Sequence, residues 1–149
     1  MSVTEISMTD KIDALKAAVK NVPQVVMPTR HFLVEGMYAR QILIPAHTAF
    51  VGRKHKKPHY FMCLAGGAMV TADDGSIHNV RAGMVLMSAL GTQRIGVTYA
   101  DTVFVGIFRT DETDLAKIED DLVEFDPTAR YGVGNEILEI PPKEPKCLD

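Results

Sequence analysis

The sequence is poor in cysteine: Cys63 and Cys147, far apart, are the two in 149 residues. Such a pair makes no disulfide framework and fits a reducing compartment. Long apolar runs are missing too. No stretch approaches the ~20 residues that a membrane-spanning helix needs. The opening MSVTEISMTDK carries no basic-then-apolar leader. The expectation is a cytosolic product, or one assembled from the cytosol, not secreted by a signal peptide. A strong charge of one sign is also lacking. The net charge is −3, which points away from nonspecific binding to nucleic acid or an anionic membrane. There is no internal repeat and no low-complexity tract.

What is present suits one domain with its own core. Apolar residues make up 46% and charged residues 23% of the chain, ordinary values at a length that needs no disulfide or metal staple. In DKIDALKAAVKN, Ile12, Leu15 and Val19 recur at helical spacing, with Thr9 as the expected cap and Pro23 as the stop. From residue 30 onward the pattern changes. RHFLVEG, MYARQILIP, HYFMCLAGG, AMVTAD, IHNVR, MVLMS, RIGVTY and TVFVGIFR are short segments rich in β-branched and aromatic residues. Turns such as DDGS, Asp73–Ser76, separate them, which predicts an antiparallel sandwich or barrel. TDETDLAKIEDDLVEF then predicts a helix with Thr110 as its cap and Leu115, Ile118 and Leu122 as its apolar stripe. The expected division is 1–29 N-terminal helix and linker, 30–110 β-barrel, 111–124 helix, and 125–149 extended Pro-rich tail, ordered against its own domain or a neighbouring subunit.

The chemistry gathers in VGRKHKKPHYFMCLAGG. Arg53, His55, Lys57 and His59 share strand parity, so an unbroken strand would turn them to one face. Lys56–Pro58 disturbs that register, which makes Lys57 the weakest member. Cys63, among Met62 and Leu64, reads as an inert core thiol. His31, His47 and His78 fall at strand ends or turns and read as surface residues.

These residues resemble the cupins, small antiparallel jelly-roll barrels whose pocket often holds a metal. The first cupin motif falls at matching spacing on His47, Arg53, His55, His59 and Gly66. The second falls on Gly83, Ala89, Gly91, Arg94 and Thr98. The family's four ligand positions are then Arg53, His55, His59 and Arg94. The run from Met37 to Val123 looks more narrowly like small cupin-like proteins of tailed bacteriophages. That resemblance implies a phage setting, host cytoplasm or virion, and no settled activity. His47 stands where the cupin motif prefers glycine, so a left-handed bend there would strain it.

Arginine stays protonated and has no lone pair to give, and two guanidinium groups repel a divalent cation. Two imidazoles alone fall short of the three or four protein ligands of a stable site. The expectation is therefore a degenerate pocket with no cofactor. The alternative keeps His55 and His59 as ligands of iron, manganese, nickel or zinc in a dioxygenase, isomerase or lyase. Arg53 and Arg94, with Lys57, read as an anion-binding set; against this, the arginines bend outward or pair with Asp101 or Glu35. The functional expectation is a non-catalytic protein acting through protein contacts, virion-associated or an accessory to infection. It would be a homo-oligomer, dimer or higher, and would reach other virion proteins through the C-terminal tail. The alternatives are the metal enzyme and a small-anion-binding module.

Overall fold

A computed structural model of the chain describes residues 7–19, 22–72 and 74–138. Cys147, Asp73 and the part of the tail from residue 139 lie outside the described residues. Helix α1, Met8–Val19, opens the described chain. Its cap is Ser7 rather than Thr9. Ser7 Oγ accepts from Asp10 N at 3.1 Å and donates to the Asp10 carboxylate at 2.7 Å, a reciprocal pair that Thr9, inside the helix, cannot form. Ile12 is the buried residue of this helix.

Nine strands follow: β1 Thr29–Val34, β2 Met37–Ile44, β3 Ala49–Val51, β4 His59–Ala65, β5 Gly67–Thr71, β6 Ile77–Arg81, β7 Val85–Ser88, β8 Ile95–Thr98 and β9 Thr102–Arg109. They form two antiparallel sheets, one of five strands in the order β1-β2-β9-β4-β7 and one of four in the order β3-β8-β5-β6. The expected barrel is corrected here. The ladders do not run round a closed circuit, because β1, β7, β3 and β6 each pair on one side only. Residues 52–58 leave the ladder between β3 and β4, where a closed barrel would have needed them. β5 and β6 do pair as the expected hairpin, with Gly67 opposite Arg81 and Thr71 opposite Ile77.

Side chains from both sheets meet in one core. Ile44, Cys63 and Phe104 come from the five-stranded sheet, and Ala68, Val70 and Val80 from the other. Full burial of a Val or Phe contributes about 1.5–3 kcal/mol each, so this cluster, with Phe50 packed against Phe104 at 5.8 Å, joins the layers. Cys63 is 1% exposed, and burial pushes its thiol up, as suits a core filler.

Two bends carry the backbone cost. His47 has φ 57°, so the left-handed bend at the motif's glycine position is real and is held by a non-glycine residue. Gly66, φ 71°, cannot be replaced at all cheaply, because a Cβ there would stand 2.2 Å from Asp101 O.

Helix α2, Leu115–Leu122, follows β9. Asp114 caps it, accepting from Lys117 N at 3.2 Å. Thr110, expected to cap, is buried instead and donates to Asp121 at 2.9 Å. Ile118 and Leu122 bury themselves against Tyr38 and Phe108, forming a second small core that fastens the helix to β2 and β9. Beyond it, residues 126–135 fold back beside residues 16–29. Lys16 pairs with Asp126 at 3.0 Å, Tyr131 OH donates to Val25 O at 2.7 Å, and Asn135 donates to Thr29 Oγ1 at 3.1 Å.

Candidate functional site

A cavity of about 260 Å³ lies beneath these two segments. Its walls are the inner faces of β2, β4 and β9, the 52–55 and 92–94 loops, and the folded-back segments themselves. Arg53, His55, His59 and Arg94, which the sequence set side by side through two separate motifs, all border it. Lys57 does not. Its Nζ lies 2.6 Å from Asp121, and that ion pair, with the Thr110 hydroxyl, holds Asp121 below the usual carboxylate range. The parity that grouped Lys57 with the others fails because residues 52–58 are not a strand.

The two imidazoles meet at a tilt of 38°. Their ring centroids are 4.1 Å apart, and both rest on Phe108, at 5.5 Å for His55 and 4.5 Å for His59. His55 Nδ1 donates to Thr92 O and His59 Nδ1 to Lys57 O, each at 3.3 Å. Burial pushes His55 down to about 3, helped by His59, Arg40 and Arg94 and opposed by the Thr92 contact. His55 is thus neutral across the physiological range.

The arginines differ in how they are held. Arg94 donates to Thr71 O at 3.1 Å and Ser88 Oγ at 3.0 Å, and its guanidinium lies 5.7 Å over the Phe61 ring. Arg53 donates to Glu124 O at 2.6 Å, and its Nε has no partner among the described residues. Asp101, weighed as an internal partner, accepts from Ala46 N instead.

Arg40 is the residue that sequence reasoning missed. It sits in mid-β2 between Tyr38 and Ile42, and it lines the cavity. Its exposure is intermediate, but the surface it keeps faces the cavity, and burial lowers its pKa. Tyr38 and Glu119 oppose that shift, and Arg53 adds to it. Among the described residues Arg40 forms no ion pair and no hydrogen bond, and its Nε is buried without a partner. Glu119, the carboxylate closest in influence, accepts from Gly134 N at 2.9 Å. The signal was available: Tyr38, Arg40, Ile42 and Ile44 share parity, so an inward apolar strand carries one arginine. Arg130, from the folded-back segment, also lines the cavity and had no periodic signal.

Two facing antiparallel sheets with a residue-lined hollow at one end make a β-sandwich with a pocket. Comparison agrees at the level of fold. No family model and no curated protein matches the chain. Among solved structures it is similar to the DMSP lyase DddQ from Ruegeria pomeroyi DSS-3, at 18% identity and a TM-score of 0.51, over 59% of this chain and 49% of that one. The match spans about half of the lyase. The chain is also similar to an RmlC-like cupin family protein from Methanocaldococcus jannaschii, at 11% identity and TM-score 0.49 over 58% and 82% of the two chains. A third is an RmlC-like cupin from Shewanella frigidimarina NCIMB 400, at 15% identity and TM-score 0.49 over 56% and 75%.

Cupin folds commonly imply a divalent metal, and the residues here do not fit one. Among the described residues no three His, Cys, Asp or Glu side chains converge. The two imidazoles that do meet lie tilted at 38° to each other, and guanidinium groups stand at the other motif positions. Such a donor set offers two nitrogens where stable sites use three or four ligands, and it surrounds them with positive charge.

Proposed function

We propose that this chain is a non-catalytic, cupin-fold binding module whose cavity takes a small anion. The observation that carries the proposal is Arg40, a cation enclosed by the fold with no ion pair or hydrogen bond among the described residues. Burying an unpaired charge is costly, and proteins meet that cost by supplying a counter-charge. Glu119 on the same wall offsets part of that cost, and a bound anion supplies the rest. Guanidinium forks match carboxylate and phosphate oxygens. Arg53 and Arg130 border the same space, and Arg94 is braced at its wall by Thr71 and Ser88.

The test is thermal shift with benzoate and inorganic phosphate against the wild type and Arg40→Met. At least one anion raises the wild-type Tm in a saturable way, and the variant loses the response. An equal response in the variant removes the proposal.

A second reading, assembly with another copy of the chain, is favoured by the outer face of the five-stranded sheet. Tyr60, Leu64, Val85 and Met87 are 52–77% exposed there, and Tyr60 lies opposite Met87 across the ladder. Contiguous exposed apolar residues mark contact surfaces. Light scattering tests it: an oligomer that Met87→Lys dissociates supports it, and a monomeric wild type removes it. A virion or infection-accessory role rests on the phage resemblance of the sequence.

A further inference from the structure

We infer that the ligand is a carboxylate with a flat, apolar body, an aromatic monocarboxylate in class, seated with its head on Arg40 and its ring along Phe61. This rests on the anion-binding reading above and adds the identity of the rest of the molecule. The cavity wall's neutral side-chain hydroxyl and amide donors are already engaged within the protein. Thr92 Oγ1 donates to Ala89 O at 2.7 Å, Tyr131 OH to Val25 O at 2.7 Å, and Gln24 Nε2 to Val19 O and Val22 O at 3.0 and 2.9 Å. Asn135 Nδ2 donates to Thr29 Oγ1, and Tyr38 OH is paired with His31 Nδ1.

A sugar acid would bring several hydroxyl groups into this space, where the open donors are the guanidinium N–H groups that its carboxylate also needs. Unmatched hydroxyls are penalised on burial. An apolar body loses nothing there. The wall it would meet is aromatic: Phe61 packs on Phe104 at 4.7 Å, and His59 on Phe108 at 4.5 Å with 21° between planes. Flat rings pack against such a surface by offset stacking or edge contact. The positive groups supply one recognition element and the rings the other, as in ligand pockets where a few polar groups fix orientation.

Isothermal titration calorimetry with 2-naphthoate, benzoate, gluconate and inorganic phosphate tests this, on the wild type, Arg40→Met and Phe61→Leu. The expected result is that the aromatic carboxylates bind at least about tenfold tighter than gluconate or phosphate, with Arg40→Met abolishing binding. Phe61→Leu weakens 2-naphthoate about fivefold to tenfold, the size of an aromatic contact, and leaves phosphate unchanged. Gluconate or phosphate binding as tightly as the aromatic acids, and still requiring Arg40, overturns the ligand class while leaving the anion site standing. Binding of no probe in an Arg40-dependent way overturns both. Circular dichroism on each variant confirms that lost binding is not lost folding.

Discussion

Arg40→Met offers a test in which the usual expectation for a buried substitution is reversed. Most changes at enclosed positions destabilise. Arg40 instead places a guanidinium on the cavity wall with its Nε unpaired, and burial depresses its pKa. A base whose folded pKa lies below its unfolded value is penalised in its charged form. Stability is therefore reduced at pH values below the unfolded pKa, neutral pH included. Methionine keeps most of the stem's volume and removes the charge. Replacement of poorly compensated buried charges by apolar residues is neutral or stabilising by about 1–4 kcal/mol. Because the side chain faces a cavity and Glu119 offsets part of the penalty, the lower end applies, about 1–2 kcal/mol. For a chain of this length that is a rise in Tm of about 3–6 °C without ligand. With an anion at a hundredfold excess over its Kd, the wild type gains about 2.7 kcal/mol and the order reverses. Differential scanning calorimetry with and without benzoate reads both arms. A ligand-free Tm several degrees below wild type would refute the reasoning, because it would mean that Arg40 is satisfied by the protein itself.

Other perturbations follow from the same geometry. His55, neutral in the fold down to about pH 3, protonates near 6.5 when unfolded, so stability is lost as pH falls through that window. His55→Leu should flatten Tm against pH between pH 6.5 and 4, measured by scanning fluorimetry. At Asp126, burial pushes the carboxyl up but is outweighed by Thr128 and Lys16, which bring it to about 2. Asp126→Asn should cost about 1–2 kcal/mol by chemical denaturation at pH 7, and the difference should vanish as pH falls from 3.8 toward 2. Phe104→Ala removes the ring that joins Phe50 to Phe61 and should cost about 3–5 kcal/mol, enough to bring the unfolding midpoint down sharply in urea. His47→Gly relieves the bend at φ 57° and should leave stability unchanged or raise it by about 1 kcal/mol in the same assay.

The parts of this molecule that could be read in advance are those set by local period and by spacing. Leu115, Ile118 and Leu122 announce their helix because the stripe alone decides which face is buried. His55 and Arg94 lie far apart in sequence, and motif spacing still brought them to one cavity. Caps were read less well. Ser7 and Asp114 do the work assigned to Thr9 and Thr110, since several residues near a helix start can accept from its free amides and tertiary packing selects among them. Sheet closure was not legible at all, because whether β3 and β6 remain edges depends on strand lengths and on where residues 52–58 leave the ladder. Arg40 was legible and overlooked: the alternation in MYARQILI points it inward, but an anomaly of one residue in a strand carries no motif. Arg130 depends on how residues 126–135 fold back, which no periodicity encodes.

The chain holds no tryptophan and four tyrosines. Two of those, Tyr38 and Tyr131, stand on the cavity wall, one paired with His31 and the other tied to Val25. Half of the protein's phenols therefore report on the region where occupancy would change their surroundings. An occupant without its own absorbance near 280 nm can be followed by tyrosine emission alone, and Tyr131→Phe separates the signal of the folded-back segment from that of the sheet.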